Sequence, residues 1–385
     1  MMDHQQDIRL QKSNVVLRAH LYYQRLRQFF ALPGCYRKVR AFNDCEKSRL
    51  GLALDLFTLF FSYKTFPDHY GLCRLWEIDK KEWSYYYGSN YHPHQRLRLQ
   101  KAVQPFEYRV LFNDKYLCAL ICRALGIRTP YTWGTIEPGQ DYRRQIQLWL
   151  QASPARPLII KPLFGSAGRD IVMVKKIDNC IVVSSAKVSI PLDDFFLAET
   201  SIVQDVLVQD ARMAAFSPFS VNTLRIITML TKQDDLIIVN GSMRSGVGES
   251  FVDNWSAGGV SVGVDFDRGR LKKYAYDRKW NRFGTHPTSG VVFEDYPIPE
   301  WERVHATAAA IQKAFPFYRM LGLDMAIGQG GEPVLIEING APDLAALEQK
   351  AGPLLKSERV LRAFGEYDLL VNKHQRKLYA SLGKQ

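Results

Sequence analysis

Cysteine is scarce in this sequence, and the six residues present, Cys35, Cys45, Cys73, Cys118, Cys122 and Cys180, form no C-x-x-C pair and adjoin no conspicuous histidine pair. A zinc centre and a disulfide framework are therefore both unexpected, and a reduced, cytoplasmic setting fits best. Cys118 and Cys122 stand one helical turn apart and read as two small buried apolar side chains. The opening MMDHQQDIRLQKS has no apolar core, so no signal peptide is expected. No run is long enough to cross a bilayer, which takes about 20 apolar residues; the longest, Leu50 to Phe61, contains Asp55. A buried helix is the expectation for that run. Its alternative is a peripheral contact at the inner face of a membrane, because aromatic residues crowd its end and basic residues flank it. Internal repeats and low-complexity linkers are also absent.

Negative charge is in short supply: 51 Lys and Arg against 39 Asp and Glu leave a formal charge of +12. Such a balance favours anionic partners, whether nucleotide phosphates, nucleic acid, an anionic polysaccharide or a membrane surface. The basic residues are dispersed, with modest clusters at Gln95 to Lys101 and Lys373 to Lys377, and no RNP-like or zinc-finger pattern accompanies them, so nucleic acid is not an expected partner. Apolar residues make up 46% and charged residues 23%, the balance of an ordinary globular chain. A length of 385 residues exceeds one average domain. A helical, aromatic-rich region is expected over residues 1–110, a central body over 111–355 and closing helices over 356–385; within the body, a small lobe over about 155–205 precedes a large lobe over about 206–355.

Inside the body, Asn113 or Asp114 caps a helix with Leu117, Leu120, Ile121 and Leu125 at helical spacing, ended by Gly126 and followed by Pro130. TPYTWGTI then reads as a strand and residues 142–152 as an amphipathic helix. The stretch RPLIIKPLFGSAGRDIVMVKK, Arg156 to Lys176, places a glycine-rich turn between two short β-branched strands, where a P-loop would need a strand and a helix. Lys161 ends the first strand, and Gly165 and Gly168 let backbone N–H groups approach an anion. An ordinary exposed hairpin turn is the alternative. Residues 201–210, 223–231, 235–246 and 258–266 read as strands, 300–315 as a helix, and 321–340 as a hairpin turning at Gln329-Gly330-Gly331-Glu332. On that hairpin Asp324 lies on one strand, and Glu337 and Asn339 alternate on the next and so share a face. Two carboxylates and an amide oxygen inside apolar strands suit a Mg²⁺ ion that also takes phosphate oxygens. Salt bridges from Arg225 or Arg244 are the alternative use of those carboxylates. Asn222 and Arg225 open one strand and Arg244 sits on the next; the guanidinium groups can neutralise a phosphoryl group or a substrate carboxylate, or be surface charges.

Taken in order, DKYLCALICRALGIRTP, LIIKPLFGSAGRDI, SIVQDVL, SVNTLRIIT, VDNWSAGGVSVGVD and GLDMAI...PVLIEING resemble the ATP-grasp superfamily over Asp114 to about Leu355, most closely its sugar-transfer-associated branch, related to α-L-glutamate ligases. The aromatic YYYG region resembles that branch's helical N-terminal extension. The resemblance implies an α+β fold in which two lobes with antiparallel sheets clasp ATP. It further implies that Lys161 and Lys115 contact phosphates, that the loop Gly165, Ser166 to Gly168 closes over them, and that Gln204, Asp205, Val206 and Leu207 form an adenine-facing hinge. Asp324, Glu337 and Asn339 would hold Mg²⁺, with Asn222, Asp253, Asn254, Gly258 and Gly259 on the acceptor side. Lys161, Arg225 and Arg244 would then neutralise charge during transfer of a phosphoryl group to a carboxylate, which an amine attacks. The implied activity is an ATP-dependent carboxylate–amine ligase, with a carboxylated sugar of a surface polysaccharide as one acceptor; a kinase acting on a hydroxyl and a non-catalytic ATP-binding scaffold are the alternatives. After EING comes APDLAALEQ, and its Asp343 and Gln349 have no assigned role.

Overall fold

A computed structural model describes residues 14–383 apart from 89–92, 154–155, 166–167, 179, 186–187, 251–252 and 254–257. Two antiparallel sheets dominate it. The first holds β1 (Thr132–Ile136), β2 (Leu158–Pro162), β3 (Val172–Ile177), β4 (Cys180–Ser184), β5 (Ser189–Pro191) and β6 (Ser201–Asp205), in the order β1-β6-β2-β3-β4-β5. The second holds β7 (Thr223–Leu230), β8 (Leu236–Ser245), β9 (Val260–Asp265), β10 (Arg270–Tyr276), β11 (Arg282–Phe283), β12 (Met320–Ile327) and β13 (Pro333–Asn339), in the order β11-β10-β9-β8-β7-β12-β13.

Each sheet is covered by a helix on one face; the opposite face of the first contributes to the cleft, and that of the second does so in part, the rest being covered by the closing helices, which pack on Ile227 and Met229. The helix Tyr142–Ala152 packs Ile146 and Leu150 onto Leu158 and Ile160 of β2, so Ile159 and Lys161 point the opposite way by the period-2 rule. The helix Trp301–Ala314 packs Val304, Ala308 and Ile311 against Leu224 and Ile226 of β7 and Leu321 and Leu323 of β12. Arg225 and Asp324 therefore lie on the face away from it. A bulge in the β12–β13 pairing, where Asp324 opposes Glu337 but Met325 opposes Leu335, inserts Ile336 and keeps both Leu335 and Ile338 in the core while Glu337 turns to the cleft.

The expected strand over 201–210 stops at Asp205. Val206 N–H is drawn to Pro157 O at 3.0 Å, and Asp210 caps the short helix Ala211–Ala214, so 206–209 is a connector between the sheets. The helix Lys115–Ala124 is capped by Asp114, which accepts from Tyr116 N at 3.0 Å and Leu117 N at 2.9 Å. Its buried face is Cys118, Ala119 and Cys122, while Leu120 and Leu125 are exposed. The leucine spacing misplaced that face because small side chains permit the close approach to the large-lobe core that leucines would block.

Before the sheets come the helices Asn14–Phe30, Leu32–Arg40, Arg49–Phe61, Asp68–Leu72 and Pro93–Ala102. The first four share a core of their own, built on Val39, Leu52, Tyr70 and Trp83, whereas Leu99 of Pro93–Ala102 joins the core of β7 and the closing helices. The Leu50 to Phe61 run is buried on one face only: Leu52, Leu56 and Leu59 point inward, whereas Leu50, Leu54, Phe57 and Phe61 are exposed. Glu358–Glu366 and Lys373–Leu382 close the chain, and Val360, Leu361 and Phe364 share one core with Ile227 and Met229 of β7 and with Leu344 and Leu347 of the helix Leu344–Ala351.

Candidate active site

Between the two sheets lies a cleft of about 460 Å³, and residues predicted from distant parts of the sequence meet in it. From the first sheet come Lys161 and the glycine loop. Lys161 Nζ donates to Gln204 Oε1 at 3.2 Å, and Gln204 Nε2 donates in turn to Thr132 Oγ1 at 3.0 Å. Burial lowers the Lys161 ammonium, helped by Lys115 and opposed by Glu337 and Asp253. Lys115 opens its helix on the other side of the loop, and its Nζ donates to Gly165 O at 2.5 Å and Leu163 O at 3.4 Å. Two ammonium groups thus flank Gly165 and Gly168, which both line the cleft; Gly168 has φ +69°, a conformation that favours glycine. Ser166 lies outside the described residues.

Asp205, Val206 and Leu207 line the cleft at its hinge end with Gln204. Asp205 is fixed there by Trp133 Nε1, which donates to Oδ1 at 2.7 Å. The connector is pinned to the second sheet by Gln329 N–H donating to Val208 O at 2.9 Å.

The opposite wall is a cross-strand row on β7, β12 and β13. Arg225 pairs with Asp324, and Asp324 with Glu337, so register alone brings a guanidinium and two carboxylates into line. Arg225 grips Asp324 with two donors: Nε to Oδ1, and Nη2 to Oδ2 at 2.6 Å. Arg244, opposite Thr223 on β8, reaches Asp324 Oδ2 at 3.4 Å, and Asn339 Nδ2 donates to the same oxygen at 3.3 Å. Burial would raise the Asp324 carboxyl, but the two arginines hold it below its ordinary value. Glu337 goes the other way: burial and the neighbouring Asp324 raise it, against Lys115, Arg225 and Lys161. Among the described residues no ion pair forms to Glu337, and no trio of His, Cys, Asp or Glu could hold a metal. The available donor set is two carboxylates and the Asn339 amide. That set fits a hard cation whose remaining positions are filled by phosphate oxygens: Asp324 Oδ2 is taken by Arg225, Arg244 and Asn339, but Oδ1 accepts from Arg225 Nε alone and keeps a lone pair for an ion.

Asp253 extends this wall beyond Arg244. Thr223 N–H donates to its Oδ2 at 3.2 Å and the Thr223 hydroxyl donates to the same oxygen. Burial pushes the Asp253 carboxyl up to about 6, against Arg244 and the Thr223 hydrogen bonds. Asn254 lies outside the described residues. Gly258 and Gly259 precede β9 and do not line the cleft; Gly258 is exposed with φ +104° and Gly259 is buried. The acceptor role expected of Asn222 is also not what its position allows. It is 0% exposed, its Nδ2 donates to Met213 O at 2.8 Å and Ser217 O at 3.0 Å, and its Oδ1 accepts from Ser245 at 2.8 Å. It ties the 209–222 segment to β8 behind the wall, a satisfied buried polar group and not a ligand contact.

Lys350 is the residue that sequence reasoning missed. The helix Leu344–Ala351 begins at Asp343, whose carboxylate caps it through Ala346 N at 3.2 Å, and one face, with Ala346 and Lys350, lines the cleft. The helix lies hard against β9: a Cβ on Gly263 would sit 2.2 Å from Lys350 O, so only glycine admits it there. Burial drives the Lys350 ammonium down to about 7, with Arg244 and Arg225 pushing the same way and Asp343 opposing. The spacing Asp343, Ala346, Lys350 was a readable one-face pattern, but nothing local said that this face was buried.

Two antiparallel sheets closing on a cleft with lysines on one side and oxygen donors on the other are the ATP-grasp arrangement. The profile of the sugar-transfer associated ATP-grasp family matches residues 94–362. The chain belongs to that family. No curated protein matches it. Among solved structures it is similar to the ADP complex of purK, N5-carboxyaminoimidazole ribonucleotide synthetase (10% identity, 61% of this chain, 46% of that one, TM-score 0.37). It is also similar to the ATP-grasp ligase PsnB complexed with minimal precursor, Mg and ADP (12%, 69% and 62%, 0.38) and to the D-alanine–D-alanine ligase of Bacillus anthracis (14%, 71% and 70%, 0.37). The chain spans about half the length of two N5-carboxyaminoimidazole ribonucleotide synthetases, 46% and 52%. At these scores the likenesses carry no argument about the reaction.

Proposed function

We propose that the chain is an ATP-dependent carboxylate–amine ligase that uses Mg²⁺ and works through an acylphosphate. The observation that carries this reading is the single cleft in which Lys161 and Lys115 face Asp324, Glu337 and Asn339. When bound, the ion would draw charge from the phosphates. The chain's own residues position and neutralise: Lys161 and Lys115 take phosphate oxygens, Gly165 and Gly168 let the backbone approach them closely, and the hinge from Gln204 to Leu207 faces the base. Arg225 and Arg244 stabilise the negative charge that develops when an amine attacks the acylphosphate. No Ser, Cys or His nucleophile is needed for this chemistry.

The acceptor end holds two arginines, Arg225 and Arg244, and Lys350, whose ammonium burial lowers to about 7, beside Asp253. An anionic acceptor such as a carboxylated sugar of a surface polysaccharide suits that charge, and Asp253 is placed to receive a proton from an incoming amine. Six free cysteines agree with a reducing cytoplasmic setting. The same Asp253 carboxylate could instead activate a hydroxyl, which favours a kinase as the second reading. A screen of carboxylate and amine pairs for Mg-dependent ADP release, with mass detection of products, separates the two. The ligase reading expects an amide plus ADP and phosphate. Phosphate retained on the acceptor assigns a kinase, and nucleotide binding without ADP release over the panel contradicts both.

A further inference from the structure

We propose that an exposed face of the N-terminal helices docks onto an anionic lipid bilayer. On the helix Arg49–Phe61, Leu50, Leu54, Phe57 and Phe61 recur at helical spacing on the side away from its buried leucines. On the helix Asn14–Phe30, Leu26 and Phe30 do the same. These six side chains are between 47% and 71% exposed. They form one surface, since Phe29 lies 6.5 Å from the Phe57 ring and 6.0 Å from that of Phe61, and Phe57 stacks on Phe61 at 6.0 Å. A contiguous aromatic and aliphatic patch of this kind marks a contact, because a monomer leaves few such patches in water.

Charge selects the partner. Residues 14–43 contain no Asp or Glu. Arg27, Arg37, Arg40 and Arg49 are exposed on the same group of helices, Arg37 and Arg40 in the last turn of the helix Leu32–Arg40, while Lys38 in that turn lies 3.2 Å over the Trp280 ring. Asp55, the acidic residue within the second helix, is turned inward, where Tyr70 donates to it at 2.9 Å and Lys80 lies at 2.5 Å. An apolar face on helices that also carry exposed arginines matches the interface of an anionic bilayer, where the rings enter the acyl boundary and basic residues near the surface add to the attraction. A second copy meeting the same face would set arginine against arginine. Among the described residues no helix is long and apolar enough to cross a membrane, so the face lies on the bilayer.

Flotation of the full chain with phosphatidylcholine vesicles, with and without phosphatidylglycerol, tests this. Binding is expected to the anionic vesicles, weakening in high salt. Phe30→Glu with Leu54→Glu should cut the partition coefficient at least about tenfold, and Arg37→Glu with Arg49→Glu should do likewise. All four positions are exposed, so the variants should melt with the wild type. Absence of binding to anionic vesicles, or wild-type binding by the first double variant, overturns the proposal. So does a concentration-dependent dimer that the first double variant abolishes without any vesicle binding, which would assign the face to a second copy of the chain.

Discussion

At the scale of single residues, the cleft is a set of ionisable groups whose neighbours push them apart. Arg225 holds Asp324 ionised, while burial and Asp324 together raise Glu337. Asp253 gives the clearest test. Its folded value of about 6 lies above the ordinary one for an aspartate, so the stability it contributes is full below about pH 4 and is lost as pH rises through about 6. At neutral pH the charge therefore costs stability, on the order of 1 to 3 kcal/mol. Asp253→Asn should melt higher than the wild type at neutral pH, converge with it in acid and lose acceptor-dependent turnover. A lower melting temperature at neutral pH with unchanged turnover would show that Asp253 is only a structural partner of Thr223. The place of Lys161 in the cleft was legible in the sequence only as one of two readings, because a lysine at the end of an apolar strand before a glycine turn suits either an anion or an ordinary exposed hairpin. Lys350 was not, since a lysine in a helix reads as solvated until the helix is seen lying on Gly263. Asn222 differs from its expected role for the complementary reason: it donates to Met213 O and Ser217 O and accepts from Ser245, and no local pattern announces that these groups meet.

At the scale of elements, the strands and their pairing were largely readable, because the β12–β13 hairpin has period-2 patterning and a Gly-Gly turn. The bulge at Ile336 was not, and the joining of the N-terminal helices to the body was not either. That joint centres on Glu348, which is 1% exposed and accepts from Tyr87 N at 2.6 Å, Gly88 N at 3.0 Å and Leu354 N at 3.1 Å. His69, from the helix Asp68–Leu72, lies 3.1 Å from the same carboxylate and 3.3 Å from Cys73 Sγ. Burial alone would lower the imidazole, but the contacts with Cys73 and Glu348 outweigh it and hold His69 well above its ordinary value. Its contribution to stability is thus full below about pH 6.5 and lost as pH rises through the raised value. Thermal unfolding of the wild type should weaken on the alkaline side, and His69→Gln should flatten that slope. Glu348→Ala, which strands three buried N–H groups and the imidazolium, should cost about 3 to 5 kcal/mol. Equal alkaline slopes in wild type and His69→Gln would remove this joint from the account.

At the scale of the whole molecule, two sheets are each covered by a helix on the outer face and turn polar residues of the other face to a shared cleft. The 206–209 connector joins them along one edge, and Lys115 links the large-lobe core to the glycine turn of the small lobe. The helical N-terminal region adds an apolar face on the outside, on helices that also carry exposed arginines. The central claim is that Lys161 and the Asp324, Glu337, Asn339 set serve one magnesium nucleotide. Calorimetric titration of a non-hydrolysable ATP analogue, with Mg²⁺ or with a chelator, measures it directly in the wild type, Lys161→Ala and Glu337→Gln. The account predicts at least about tenfold weaker binding in both variants and loss of the magnesium dependence in Glu337→Gln. Wild-type affinity and wild-type magnesium dependence in both variants would contradict it.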